Sequence, residues 1–173
     1  MVNPSLRRLA AAVCFFLLAG TAFADELQDA GKLYKGGQYE SAMKQVDLWL
    51  AKNPNDAKGR FLKGLILMKE GKPDEALSVF NQLTEDYPEL PEPYNNLAVI
   101  YAARGQYELA KSELESAIAA HPGYAEAHEN LGDIYLRLAQ QSYEKAARLD
   151  ESNAGVKEKL QLVEKILSGK GQP

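Results

Sequence analysis

The chain has 173 residues, 46% hydrophobic and 25% charged, which excludes disordered and collagen-like chains and suits one folded domain with a continuous core. A formal net charge of −4 argues against a general nucleic-acid binder. The single cysteine, Cys14, excludes an internal disulfide and a cysteine-based zinc site.

The first predicted element is a leader. Arg7 and Arg8 form a basic start, Leu9 to Gly20 is a short apolar run, and Ala22-Phe23-Ala24 is a small-x-small cleavage signature. The run is shorter than the ~20 residues a spanning helix needs, so a secretory signal peptide over 1–24, cut after Ala24, is expected rather than an uncleaved anchor. Cys14 lies inside the run, the wrong place for a bacterial lipid anchor. Cleavage would remove two arginines, no acidic residue and the only cysteine, taking the charge from −4 to −6. An exported chain without cysteine needs no oxidative folding.

Beyond the leader, three residue types recur 34 apart: Gly37, Gly71 and Gly105; Ala42, Ala76 and Ala110; Pro54, Pro88 and Pro122. Each period reads as two helices. Within 91–124, Tyr94, Leu97, Ala98 and Tyr101 make one apolar face at 3-1-3 steps, and Gly105 follows where a helix end favours a left-handed residue. A second helix presents Tyr107, Ala110, Leu114 and Ala117, and Pro122 ends it. Ala98 and Ala110 let the paired backbones approach, and Ala117 lets the next pair stack.

The fourth period starts with His128, on a large core-facing position, then Leu131, Gly132 and Tyr135. Tyr143, Ala146 and Leu149 look like its second helix but arrive five residues early, and no Gly or Pro separates them from Gly132. The inter-helix turn is deleted, so one long helix over 126–149 is predicted, with a cramped turn near Gln140 to Ser142 as the alternative. Asn153 can cap a final helix whose stripe is Val156, Leu160, Val163 and Leu167. The tail 169–173 is expected to fray.

The period and these residues resemble the tetratricopeptide repeat. Residues 91–124 match its pattern at Tyr94, Leu97, Ala98, Tyr101, Ala110, Ala117 and Pro122, with Leu114 at the aromatic position. Residues 57–90 match at Gly64, Ala76, Phe80 and Pro88 and depart at Arg60 and Lys63. Residues 23–56 match at Ala30, Ala42 and Pro54, with Trp49 where alanine is usual; Gly59 makes room for that ring as packing. The resemblance implies an all-α helix-turn-helix solenoid. It would hold repeats 23–56, 57–90 and 91–124, a degenerate fourth over 125–152, and a capping helix over 153–168.

No phosphate-binding glycine loop, metalloprotease helix or nucleophile elbow occurs, and Gly36-Gly37 belongs to a turn. His121 and His128 lack a third ligand at suitable spacing, so no catalytic or metal residue and no cofactor is assigned. Glu108 with Lys111 and Glu144 with Arg148 read as a solvated face.

What remains is the concave surface. The resemblance implies that first helices of successive repeats line a groove. Its positions here are Phe61, Leu65 and Met68; then Asn95, Asn96, Val99 and Ala102; then Glu129, Asn130, Asp133 and Leu136. Phe61, Leu65 and Met68 form a stripe apart from the core face through Gly64 and Leu67, and groove or core both remain open for it. The asparagine amides could pin an extended peptide. A carboxylate clamp, which some relatives carry, is disfavoured, because Phe61, Leu65, Glu126 and Asn130 stand at four of its positions. Glu126, Glu129 and Asp133 make one end acidic, which suits a partner with an apolar segment followed by basic residues. The chain is therefore expected to be a non-enzymatic adaptor of the bacterial periplasm. It would bind a protein or peptide, carry no membrane-spanning segment once cleaved, and bind no nucleic acid. A self-assembling solenoid is the alternative, and an enzyme is the reading least favoured.

Overall fold

The computed structural model describes residues 26–169, which are helical apart from turns and short connections. The signal peptide over 1–24, its cleavage after Ala24 and residues 170–173 of the tail lie outside the described residues. The helices are α1 (26–35), α2 (Tyr39–Lys52), α3 (Ala57–Lys69), α4 (Pro73–Asp86), α5 (Pro91–Ala103), α6 (Tyr107–Ala120), α7 (Ala125–Leu149) and α8 (Ala154–Leu167).

Three of the turns share one construction. Gly37, Gly71 and Gly105 have φ of 74°, 73° and 71°, where a side chain would be strained. After each glycine, the next amide reaches back to the preceding helix: Gln38 N to Leu33 O, Lys72 N to Leu67 O and Gln106 N to Tyr101 O, each 2.9 Å. These bonds satisfy carbonyls that a helix end otherwise orphans and fold the next helix back. Other helix starts use side-chain caps or proline. The Asp56 carboxylate accepts from Gly59 N at 2.6 Å, and Pro91 opens α5.

The chain falls into two compact units, divided between Val79 and Phe80 inside α4. Each unit has its own buried cluster. Repeat helices contact mainly their sequence neighbours, so burial accumulates locally. In the first unit, Ala30, Ala42, Val46 and Ile66 are buried together, with Leu33, Tyr34, Met43 and Leu62 packed around them. Trp49 is half-buried against Gly59, as its position predicts: a Cβ at 59 would meet Trp49 Cδ1 at 2.9 Å. In the second unit, α6 packs on α5, α7 on α6 and α8 on α7. Its core joins Ala98, Ala110, Leu114, Ala117, Ala127 and Ile134, so the small residues sit where backbones approach.

The predicted continuous helix is present: α7 runs unbroken for 25 residues, with no turn at Gln140 to Ser142. The final helix also forms as expected. Asn153 caps it, accepting from Val156 N at 3.1 Å, and Val163 is its buried residue. His128 is a correction. It does not enter the core but is exposed, its Nε2 2.9 Å from Pro122 O, because that short connection offers a carbonyl to the ring.

Candidate functional site

The second unit holds a cavity of about 170 Å³ between α5 and α7, with α6 behind it. It is lined by Ala98, Val99 and Ala102 of α5, Leu114 of α6, and Asn130, Asp133 and Ile134 of α7. Helical spacing explains the set. Positions 98 and 102 share one face of α5, and 130, 133 and 134 share one face of α7. The space exists because α5 presents alanine at 98 and 102, where longer side chains would fill it.

Above it lies a polar chain. Asn130 Nδ2 donates to Asn95 Oδ1 at 2.8 Å, and Asn95 Nδ2 donates to Glu126 Oε1 at 3.0 Å. Tyr124 completes it, its hydroxyl donating to Glu126 Oε2 at 3.1 Å. Burial, then the Glu126 charge and this bond, push the Tyr124 phenol up to about 12. Asn95 is only 1% exposed, so a partnerless amide there would be costly, and the chain satisfies both of its polar ends. On the other side of α5, burial raises the Tyr94 phenol, helped by Glu113 and Glu89, and burial likewise raises the Glu113 carboxyl.

Of the groove residues expected from the sequence, Val99, Ala102, Asn130 and Asp133 come together in this cavity. Val99 is 41% exposed and Asp133 is also exposed, so both are open to a partner. Asn95 is a correction, because its amide is engaged within the protein and is not presented to a peptide backbone. Asn96 also bonds locally, Nδ2 to Glu92 O at 2.8 Å. Glu129 is exposed on α7 and Leu136 half-buried, neither lining the cavity. Phe61, Leu65 and Met68 belong to the first unit and are each half-buried, while Gly64 and Leu67 take the buried face of α3 together with Ile66. The departure at Lys63 is accommodated by an ion pair with Asp47 at 2.7 Å. Sequence reasoning treated Ala98 and Leu114 as packing only and did not single out Ile134. The signal for them was the pairing of small residues on α5 with a large one across on α7.

Among the described residues, no three His, Cys, Asp or Glu side chains are grouped to hold a metal ion. No described helix is long and apolar enough to cross a membrane.

These paired helices with left-handed glycine turns and small residues at the crossings define a helix-turn-helix repeat protein. The profile of the family described as "Psidin, N-terminal TPR repeats region" matches residues 32–168, and the chain belongs to this family of tetratricopeptide repeats. One curated relative is the TPR repeat-containing thioredoxin TTL4 of Arabidopsis thaliana, 35% identical over 77 residues. That match takes in 44% of this chain and 11% of the relative, so the chain spans only about a tenth of that protein. Among solved structures, the Yersinia enterocolitica type III secretion chaperone SycD, in complex with a peptide of the translocator YopD, superposes with a TM-score of 0.62 at 18% identity. The superposition covers 68% of this chain and 95% of SycD. A thermophilic TPR protein of Thermus thermophilus gives 0.63 at 23% identity, covering 85% and 83% of the two chains. The first TPR domain of Spaghetti (RPAP3), bound to the HSP90 peptide SRMEEVD, gives 0.62 at 20%, covering 68% and 93%. At these identities the likeness shows the fold.

Proposed function

We propose that the protein is a non-catalytic adaptor of the bacterial envelope, exported to the periplasm, that binds a segment of a partner protein on the α5–α7 face. The observation that carries this reading is the cavity itself. It is open, walled mainly by apolar side chains, with the exposed residues Val99 and Asp133 in its lining, on a helix pair bridged by a satisfied polar chain. A pre-formed recess with few placed polar groups is how small binding sites are built. Two relatives of the same fold carry peptides, the YopD segment on SycD and SRMEEVD on RPAP3, which supports the same use here. Export rests on Arg7-Arg8, the apolar run and Ala22-Phe23-Ala24.

A photo-crosslinking residue at Val99, with a matched probe at the exposed Glu115 of α6, tests the site in the native host. One heterologous partner captured from position 99 alone is the expected result. Capture only from position 115 refutes the site. N-terminal sequencing of the purified protein is expected to begin at Asp25; a chain starting at Met1 refutes export by cleavage.

Self-assembly is the second reading, and one observation favours it. Leu149, Leu162 and Ile166 are 80%, 56% and 53% exposed at the C-terminal end. Adducts only between copies of this chain, with mass rising with concentration, would select it.

A further inference from the structure

We propose that the cavity between α5 and α7 receives one arginine or lysine side chain of the partner segment. The aliphatic stem would lie on Val99, Ala102, Leu114 and Ile134, and the cationic head would sit on Asp133 and Asn130. This rests on the adaptor reading and specifies the chemistry of its site.

An ionised carboxylate only accepts, so Glu126 obliges Asn95 to turn its Nδ2 toward it. That leaves Asn95 Oδ1 facing Asn130, which must answer with its own Nδ2. The amide orientation of Asn130 is thereby decided by a charge two residues removed along the chain of bonds. Its oxygen is the atom left for a ligand. Asp133 lies three residues further on the same face and makes no ion pair among the described residues. Both polar groups of the cavity therefore ask for a donor, and one of them carries a negative charge. Apolar walls ending in acceptors match a side chain with a hydrocarbon stem and a cationic tip. Glu126 and Glu129, on the same helix, add negative potential around the entrance and attract such a segment over a Debye length. A carboxylate-bearing side chain would leave Asp133 desolvated without a donor, a costly arrangement, and a neutral polar side chain would donate to it without neutralising its charge.

Full-length ¹⁵N-labelled protein, titrated with the capped peptide Ser-Ala-Leu-Arg-Leu-Ala-Ser, tests the proposal. Variants of that peptide carry lysine, citrulline or glutamate in place of arginine. Citrulline keeps the shape of arginine and removes its charge. The arginine peptide is expected to shift the amides of Val99, Ala102, Asp133 and Ile134, with lysine close behind. Citrulline and glutamate are expected to weaken binding about tenfold or more, as loss of a charge-assisted hydrogen bond does. D133N, an exposed substitution that leaves the core untouched, is expected to bring arginine down to the level of citrulline. A102F, which fills the cavity with Asp133 still in place, is expected to abolish the shifts. Equal binding of arginine and citrulline overturns the proposal, as does an arginine peptide that moves other amides or none at millimolar concentration. The adaptor reading fails separately. Capture of a partner from Val99 with no charge preference keeps the adaptor and removes this pocket chemistry. An arginine peptide seated in the cavity with no partner captured in the host does the reverse.

Discussion

Residues 91–124 and residues 125–149 begin alike and end differently. Tyr94, Leu97, Ala98 and Tyr101 open the first stretch, and His128, Leu131, Gly132 and Tyr135 occupy the same places in the second. At Gly105 the chain turns left-handed and α6 folds back over α5. In the second stretch no such breaker occurs, and α7 continues for 25 residues. The consequence shows in equivalent side chains. Tyr101 packs against the second core, whereas Tyr135 is 50% exposed. The first half of α7 supplies Leu131, Ile134 and Leu138 to that core. The second half meets α8, where the Lys159 ammonium lies 5.9 Å from the Tyr143 ring centroid. The same motif residue is half-buried or wet according to whether a turn returns a helix to cover it.

The largest expected effect comes from restoring the turn. Inserting five residues containing a glycine between Ala139 and Gln140 is expected to split α7 into two helices, read as lost amide protection around the insertion. A helix that stays continuous would show that packing on α8, not the missing breaker, holds it straight. Next comes the tyrosine pair. Tyr101→Ala is expected to cost about 2 kcal/mol, somewhat below the ~3–5 of a fully buried aromatic, and Tyr135→Ala within about 0.5 kcal/mol of zero. Urea denaturation measures both, and equal costs would break the comparison.

A smaller effect separates the glycines. Gly105→Ala forces a side chain to φ +71° and is expected to cost about 1–2 kcal/mol. Gly132→Ala adds a Cβ with nothing within 4 Å and is expected to gain about 0.5–1 kcal/mol. The smallest effect is a pH dependence. Burial raises the Glu113 carboxyl, so the folded state favours its proton, and stability is lost as pH rises through the folded value. Glu113→Gln is expected to raise the denaturation midpoint at pH 7 and to leave it unchanged in acid, where the wild-type carboxyl is already neutral. A gain that is the same at both pH values would show that ionisation is not its cause.

Much of this was written in local pattern. Glycine spacing located three turns because a left-handed backbone needs that residue whatever packs around it. The deletion of a breaker implied α7 for the same reason, and Asn153 announced a cap that needs only its own helix. The family followed from the period of 34 and the small residues within it. The site was half legible. The resemblance to the repeat family implied that Val99 and Ala102 of one repeat and Asn130 and Asp133 of the next face a common groove, and these four line one cavity. The first-unit stripe at Phe61, Leu65 and Met68 remained ambiguous, since helical spacing says which residues share a face and not what that face meets.

Sequence by itself therefore determined where the helices start, stop and fail to stop, because turns and caps are satisfied by neighbours a few residues away. Tertiary structure alone decided that Asn95 is occupied by Glu126 and Asn130, that His128 faces outward, and that Ala98 and Ala102 leave a recess opposite Ile134. The Asn95 bonds and the recess depend on side chains some thirty residues apart in the chain, whose distances are set only once α5, α6 and α7 have packed.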